Sequence, residues 1–406
     1  MTYILAVNPL ILSDAGMDKG ALFSATVVSS VIATLVMAFY AKLPYALAPS
    51  MGLNAFFAYT LVLAMGYTWQ QALTAVFFEG IAFIILTMFR VREAIVEAIP
   101  LNLRYAISVG IGLFIAYIGL KNGGIIVSNE ATMTSLGPWN ITSMIAACGI
   151  LLGGVLMALN VKGALFYTII AMTVIGIPFG VTQLPENFSI VSAPQSMESI
   201  AFKLDFSRFT ELDLNYYVVV LALLFMDIFN TIGTLIGAAT SAGMVDKKTG
   251  KIQGVNQALM ADAIGTAAGA LCGTSTVTTY VESTTGIMEG GRTGMTSFTV
   301  ALLFFIALFF SPLFLIVPAA ATTSALVIVG VLMIKCIADI DFSDITEALP
   351  AFVTIIAMPL AYSISDGIVL GMLSYVTIKV CCGRYKEPSI AMYVLSAFFV
   401  LNYMLN

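Results

Sequence analysis

The chain is a nearly continuous series of apolar segments, each close to the length of a membrane-spanning helix and separated from the next by a short polar break. A spanning helix needs roughly 20 apolar residues. Hydrophobic residues make up 60% of the 406 positions and charged residues only 10%. A soluble domain has about a quarter charged residues. Because no water-soluble fold can bury this much apolar surface, the sequence predicts an all-α, multi-pass protein embedded in a lipid bilayer.

A polar stretch at residues 178–215 divides these segments into two sets of seven. The first set comprises residues 1–12, which are too short for a complete span, followed by 21–40, 47–64, 72–89, 101–120, 141–159 and 163–177. The second set comprises 216–239, 255–272, 273–288, 295–314, 319–337, 351–362 and 364–380. A further apolar segment, 389–405, follows as a C-terminal extra. We number the fourteen segments 1 to 14 in chain order.

The basic residues favour fourteen crossings. If the N-terminus is cytoplasmic, the outside loops hold four of the 17 Lys and Arg residues, namely Lys19, Lys121, Lys203 and Arg208, and the inside loops hold the other thirteen. Cytoplasmic loops of membrane proteins have such an excess. Seven segments per half place the halves in opposite orientations, as in an inverted repeat. We therefore expect a cell-membrane protein, in a bacterium the inner membrane, with residues 178–215 outside.

Several classes of chemistry are disfavoured by what the sequence lacks. There is no histidine, so the usual imidazole proton carrier and commonest metal ligand are missing, and proton chemistry falls to carboxylates. No basic run is long enough for nucleic acid. No metal-ligand cluster or serine–base pair indicates an enzyme, and we expect no cofactor. The five cysteines lie in or beside apolar segments and are interpreted as small apolar residues.

Two segments break the helical pattern at the same place in each half. Segment 3 opens with Pro49 and Gly52, which oppose a continuous helix start, and Asn54 follows. Segment 10 runs Gly273-Thr-Ser-Thr-Val-Thr-Thr-Tyr280-Val-Glu282, and threonine, valine and tyrosine favour extended structure. We predict a short extended piece followed by a half-helix in each. The two half-helix N-termini would then point backbone N–H groups at a central site.

Four carboxylates fall within or close to spans. A bare charge in the membrane costs a few kcal/mol, so each must be paired, neutral or beside water. Asp227, Asn230, Thr231 and Thr234 recur at three- and four-residue steps, which predicts one polar helix face. Asp227 and Glu282 are interpreted as binding residues, although Asp227 could also belong to a packing seam. Asp262 either couples protons or braces its neighbours, and a packing role is favoured for Glu79.

At these residues the chain resembles the AzgA-like purine permeases, a branch of the nucleobase cation symporters. The matching stretches are residues 47–60, 227–237 and 273–294, and the likeness extends from Met1 to about Lys386. The resemblance implies two inverted repeats of seven segments. It also implies a core domain (residues 1–90 and 216–316), a gate domain (91–177 and 317–382), an extracytoplasmic connection (178–215) and an extra C-terminal segment (383–406). Members of the wider fold are often homodimers.

The resemblance further implies uptake of adenine, guanine or hypoxanthine with protons, by elevator-like movement of core against gate. A purine presents N–H donors and ring-nitrogen acceptors in one plane, which a carboxylate and backbone amides or Asn54 can satisfy. The expected substrate-binding residues are Gly52, Asn54, Asp227, Phe229, Tyr280 and Glu282, with Phe229 and Tyr280 available for stacking. The expected proton-coupling residues are Asp227, Asp262 and Glu282, since a carboxylate removed from water binds a proton more readily.

Two departures from the family pattern bear on these expectations. Relatives usually have a second aspartate where this chain has Asn230. They also begin earlier, so we expect Met1 to lie part-way into the first span. Three other functions remain open on the residues alone: a same-fold permease for uracil, xanthine or a small anion, a passive channel insensitive to the proton gradient, and an intramembrane enzyme, which has the least support.

Overall fold

The computed structural model describes residues 1–89, 100–184, 189–211, 214–241, 254–280, 282–288, 290–362 and 364–390, together with 392, 393, 396, 397 and 400. At 229, 232, 233, 236–241, 284, 285, 288 and 365 it describes the backbone alone. Helices dominate this part of the chain, with two short two-stranded sheets. Six of its helices are long and apolar enough to cross a membrane, and five shorter apolar helices accompany them. The protein is therefore a multi-pass membrane protein.

The helices lie close to the predicted segments. The first half forms α1 (Ile4–Ser13), α2 (Lys19–Val36), β1 (Leu47–Pro49), α3 (Met51–Ala55), α4 (Trp69–Met88), α5 (Leu101–Asn122), β2 (Ile126–Asn129), β3 (Met133–Leu136), α6 (Ile141–Ala158) and α7 (Ala164–Gly176). The second half forms α8 (Ser207–Thr210), α9 (Leu214–Ser241), α10 (Val255–Cys272), β4 (Val277–Thr279), α11 (Ser283–Met288), α12 (Gly294–Ala307), α13 (Ser311–Leu315), α14 (Ala319–Ile334), α15 (Ile345–Leu360) and α16 (Ile364–Cys381). π-Helical turns at Met37–Ala41 and Phe56–Ala64 extend α2 and α3.

Polar capping residues fix where several helices begin. Thr68 and Gln71 form a reciprocal capping box at the start of α4. Asp344 caps α15 by accepting a hydrogen bond of 2.9 Å from the Thr346 N–H. That bond and the neighbouring Arg384 guanidinium lower the pKa of Asp344 to about 2. Asp344 is therefore ionised at neutral pH, where its charge is favourable beside the positive end of the helix.

The helices pack in two groups. The first, the strand-bearing group (α1–α4 and α9–α13), has α10 packed against α2 and α4, α9 against α4, and α1 and α12 against α2. The second, the flanking group (α5–α7 and α14–α16), has α14 packed against α5, α6 and α7, and α15 against α5 and α16. Contacts of α3 with α5 and of α1 with α14 join the groups. The strand-bearing group contains both broken segments.

Apolar side chains also cover much of the outside of the molecule. Leu151 and Val155 on α6 are exposed, as are Leu303 and Phe305 on α12. Such continuous apolar faces are stable in hydrocarbon but not in water. These helices therefore present their exposed faces to the lipid bilayer.

The structure adds one element that apolar patterning did not predict. Strands β2 and β3 pair as an antiparallel hairpin in the loop between segments 5 and 6, with Ile126 opposite Leu136. Its side chains are half-buried or exposed, so no fully buried face gives it a hydrophobic alternation. The extra C-terminal segment at 389–405 lies mostly outside the described residues and stays a prediction.

Candidate functional site

The two broken segments cross in the interior of the strand-bearing group. Strands β1 and β4 pair antiparallel, with Leu47 opposite Thr279 and Pro49 opposite Val277. Every residue of both strands is buried. A short helix follows each strand, α3 after β1 and α11 after β4. The prediction of an extended piece and a half-helix in segments 3 and 10 is confirmed.

The backbone polar groups of this crossing pair with one another. Pro49 has no N–H to donate, and the next residue, Ser50, donates its N–H to the Thr276 carbonyl at 3.0 Å. The Tyr280 N–H donates to the Ala46 carbonyl, also at 3.0 Å. Extended backbone is tolerated at membrane depth only where such groups are satisfied. The crossing is thus a stable, polar interruption inside an apolar protein.

Asn54 lies in α3, immediately after the crossing, and is fully buried. Its Oδ1 accepts a hydrogen bond from the Ser275 hydroxyl, which fixes the orientation of the amide. Its Nδ2 has no hydrogen-bond acceptor among the described residues. A buried amide donor without an acceptor is costly, so Asn54 is suited to donate to a bound ligand. Two residues earlier, a Cβ added at Gly52 would lie 3.0 Å from Ile111 of α5, so α3 approaches the flanking group there.

Glu282 lies just before α11 and is partly exposed. Its carboxylate accepts a hydrogen bond from the hydroxyl of Tyr3, at the start of α1. Tyr280 is buried, and its hydroxyl donates to the Pro49 carbonyl at 2.5 Å, tying segment 10 to segment 3. Sequence reasoning missed Tyr3, since nothing along the chain distinguishes it from aromatic filling.

The helix α9 contributes Asn230 to the same crossing. Its amide Nδ2 lies 3.2 Å from both the Ser50 hydroxyl, directly after β1, and the Thr278 hydroxyl, in the middle of β4. Asn230 therefore contacts both broken segments. The neighbouring Phe229, predicted to stack on a ligand, has its side chain outside the described residues. Its role stays a prediction.

Three carboxylates form an inner carboxylate cluster (Glu79, Asp227 and Asp262), and each is fully buried. The Thr231 hydroxyl lies 2.7 Å from Asp262 Oδ2 and 3.2 Å from Asp227 Oδ1. Asp262 also accepts the backbone N–H of Thr279 in β4, at 2.7 Å. The predicted residues therefore fall into two sets: Asn54, Tyr280 and Glu282 at the crossing, and Asp227 and Asp262 in the cluster.

The crossing offers a mixed set of polar groups on a buried surface. Asn54 and Asn230 supply amide groups, and Glu282 supplies a carboxylate acceptor. Tyr280, an aromatic residue, lies directly after β4 and two positions before Glu282. Such groups can bind a small ligand that has both hydrogen-bond donors and acceptors. In the part of the chain that is described, no three His, Cys, Asp or Glu side chains are arranged to hold a metal ion.

A separate polar bridge joins the two helix groups near the ends of α1 and α5. The Tyr59 hydroxyl donates to Asp14 at 2.7 Å, and Asn122 Nδ2 donates to the Tyr59 oxygen at 3.1 Å. A cavity of about 780 Å³ opens beside Asn122, between Trp139 and Phe179. The lining of this cavity includes Asn122 of the bridge but no residue of β1 or β4, so the cavity is separate from the strand crossing.

Comparison with solved structures identifies the fold. The transmembrane domain of the cyanobacterial bicarbonate transporter BicA superposes with a TM-score of 0.69. The match covers 91% of this chain and 94% of that domain, at 15% sequence identity. At this identity the likeness concerns the fold alone. The chain therefore has the mostly helical fold of this transporter domain.

Sequence comparison identifies the family. The Permease family pattern matches residues 1–370. The chain is 41% identical over 405 residues to the adenine permease AdeP of Escherichia coli, covering 99% of this chain and 89% of the relative. It is also 41% identical over 408 residues to the guanine/hypoxanthine permease PbuO of Bacillus subtilis, covering 99% and 94%. As the resemblance to AzgA-like purine permeases predicted, this chain is a transporter that belongs to the Permease family.

Proposed function

We propose that the chain imports a purine nucleobase, adenine, guanine or hypoxanthine, together with protons. The crossing of β1 and β4 supports this proposal most strongly. There the buried Asn54 amide can donate to a ring nitrogen, and Glu282 can accept from a ring N–H. The names of AdeP and PbuO support the purine class but differ in the base.

The substrate moves, in this proposal, with the strand-bearing group as a core that slides against the flanking group as a gate. The packing of helices within each group supports a rigid-body motion of this kind. The bridge from Asp14 through Tyr59 to Asn122 would break and re-form during each cycle. The proposed division is residues 1–90 and 216–316 for the core, and 91–177 and 317–382 for the gate, in an inverted repeat of seven segments each.

Uptake of radiolabelled purine, in bacterial cells that lack their own purine permeases, tests this function. We expect accumulation that unlabelled adenine, guanine or hypoxanthine inhibits and that a protonophore reduces. Xanthine and uracil in the same competition panel report whether the site takes other bases. Flux that persists unchanged with the protonophore would contradict proton coupling and indicate a passive channel instead.

Tyr3→Phe is expected to weaken purine binding without unfolding the protein. The change removes only the hydroxyl that donates to Glu282. A hydrogen bond to a charged group contributes roughly 1.5–3 kcal/mol, so KM for uptake should rise about tenfold or more. Combined with Glu282→Gln, Y3F should add little, because both changes remove the same contact. The control is Tyr167→Phe on α7, where the side chain is exposed. An unchanged KM for Y3F would show that Tyr3 does not position Glu282.

A further inference from the structure

A second cleft opens between the two helix groups, beside the bridge of Asp14, Tyr59 and Asn122. It has a volume of about 390 Å³, within the range of roughly 300–1,000 Å³ that is usual for small-molecule pockets. Strands β1 and β4 contribute nothing to its lining, so it is distinct from the crossing. We call it the bridge cleft and define it by the residues Asp14, Tyr59, Leu63, Lys121, Asn122 and Tyr362.

The lining of the bridge cleft combines aromatic rings with hydrogen-bonding groups of both kinds. Tyr59 and Tyr362 supply phenol rings, and Asp14 supplies a carboxylate acceptor. Lys121 supplies an ammonium donor, and the Asn122 amide can both donate and accept. A small anion would be repelled by Asp14 and would leave the rings without a partner. A planar nitrogen heterocycle can use the rings, the acceptor and the donors together.

Tyr362, between α15 and α16, is held in a backbone conformation that residues with a Cβ rarely adopt. Its φ of 54° lies in the left-handed region. Its ring meets the rings of Tyr59, Phe114 and Tyr117 at steep angles, with centroids 5.9, 5.5 and 6.0 Å away. Such a conformation persists where the surroundings fix the residue, and it is common where a ligand is held. The Tyr362 ring is therefore already positioned on the wall of the cleft.

The ammonium group of Lys121 marks a face of the Tyr362 ring that a ligand can reach. Its Nζ lies 4.6 Å from the centroid of that ring. Lys121 is exposed, and its long side chain is flexible. No ring among the described residues stacks in parallel on Tyr362. A flat base can therefore replace the ammonium group on this face, and the ammonium group can then donate to an acceptor atom of the base.

The bridge cleft and the crossing lie along the same helix. Ile111 of α5 faces Gly52 beside the crossing, and Asn122 ends α5 at the cleft. Eleven residues separate them (122 − 111 = 11), which corresponds to roughly 16 Å along the helix axis. A smaller cavity of about 160 Å³ lies between α1 and α14, and Asp14 and Asn122 line both cavities. The bridge residues are thus a wall shared by the two cavities.

A ligand in the bridge cleft competes with the bridge for its hydrogen-bonding groups. The Tyr59 oxygen accepts from Asn122 Nδ2 at 3.1 Å, and this bond joins the strand-bearing group to the flanking group. The Tyr59 hydroxyl donates to Asp14 at 2.7 Å. A base that accepts from Asn122 and donates to Asp14 replaces Tyr59 in both bonds. Its arrival therefore weakens a contact that holds the two helix groups together.

We propose that the bridge cleft is a second binding site, which holds a purine base at the outer surface before the base reaches the crossing. The base stacks on the Tyr362 ring in place of the Lys121 ammonium group, and Asp14 accepts a hydrogen bond from a ring N–H. The inference rests on the proposed purine import. It also rests on the predicted orientation, in which the ends of segments 1, 3, 5 and 13 that form the cleft lie outside.

The test asks whether a purine covers the bridge cleft of the full chain in intact cells. Leu63 is an exposed residue of the lining, and Leu63→Cys is made in a chain whose five native cysteines are replaced by alanine. A membrane-impermeant maleimide labels the new cysteine with and without adenine, guanine or hypoxanthine. At about ten times its Kd, the transported base should slow labelling roughly tenfold. The matched control is Thr134→Cys in the exposed hairpin, whose labelling should not change.

Two further changes separate the bridge cleft from the crossing. In L63C/E282A the KM for uptake should rise, while the base concentration that gives half-maximal protection stays within about twofold of that in L63C. Tyr362→Leu should instead raise that concentration at least about fivefold, because a base loses affinity when its aromatic stacking partner is removed. Tyr362→Phe keeps the ring and should restore most of the protection. The Glu282→Ala comparison does not depend on Y362L reaching the membrane.

Three results would overturn the proposal while leaving purine import intact. The first is purine uptake by L63C with no protection of its cysteine. The second is protection whose half-maximal concentration rises together with KM in L63C/E282A, since protection would then report binding at the crossing. The third is a cysteine that the maleimide cannot label from outside. If wild type takes up no purine at all, the proposed function itself fails.

Discussion

Replacing Glu282 by alanine is expected to reduce purine uptake at low substrate concentration by about 10- to 100-fold. A hydrogen bond to an ionised group contributes roughly 1.5–3 kcal/mol, and the truncation also leaves the Tyr3 hydroxyl without its acceptor. Because Glu282 is partly exposed and lies at the start of α11, its loss should not prevent folding. The loss should therefore appear in transport and not in the amount of protein in the membrane.

The measurement compares initial uptake rates over a range of purine concentrations, normalised to protein in the membrane. A residue that binds the ground state raises KM, whereas one that acts only during movement lowers the maximal rate. We expect KM to account for most of the Glu282→Ala effect. The matched control is Glu130→Ala in the exposed hairpin. Wild-type uptake by Glu282→Ala would show that the substrate does not contact Glu282.

The broken segments illustrate what local sequence can predict. Pro49 cannot donate to a helix, and the run of threonine and valine before Tyr280 favours extended backbone. These preferences act over a few residues, so the two strands and their following helices were predictable. The pairing of the two strands was not predicted and comes from the structure. Asn54 and Glu282 were located for the same reason, as the polar residues directly beside each break.

The acidic residues illustrate what local sequence cannot predict. Helical spacing predicted one polar face on α9, and the structure divides that face between two environments. Asn230 contacts Ser50 and Thr278 at the crossing, while Asp227 accepts a hydrogen bond from the Thr231 hydroxyl. Residues three or four positions apart are neighbours on the helix surface. Which partner each of them contacts therefore depends on the helices that pack against that surface. That packing is set by residues far away in the chain.

Gly330→Ala is expected to destabilise the flanking group by about 1–3 kcal/mol, because an added methyl group has no room. A Cβ at Gly330 would lie 2.5 Å from the Gly112 carbonyl oxygen and 2.8 Å from the Ala116 Cβ. A Cβ at Gly112 would lie 2.9 Å from the Gly330 carbonyl oxygen. Helices α5 and α14 therefore cross with their backbones in contact at these two glycines, and substitution must push them apart.

Thermal unfolding in detergent, followed by the loss of monodisperse protein, measures this effect. The control is Gly154→Ala on α6, where an added Cβ meets no atom within 4 Å. There the better helix propensity of alanine should leave stability unchanged or slightly higher. Gly112→Ala should resemble G330A, and the double variant should cost less than the sum, since both changes separate the same contact. Equal stability of G330A and G154A would show that α5 and α14 can move apart at Gly330 without loss of stability.

Gly112 and Gly330 occupy equivalent places in the proposed inverted repeat. Gly112 lies twelve residues after Pro100 (112 − 100 = 12), and Gly330 lies twelve residues after Pro318 (330 − 318 = 12). Each proline immediately precedes its helix, α5 or α14. Equivalent positions in two repeats meet face to face only where a twofold axis passes between them. If G112A and G330A lower the unfolding temperature by similar amounts, the two glycines contribute similarly to the contact, as we expect for equivalent positions in the proposed inverted repeat.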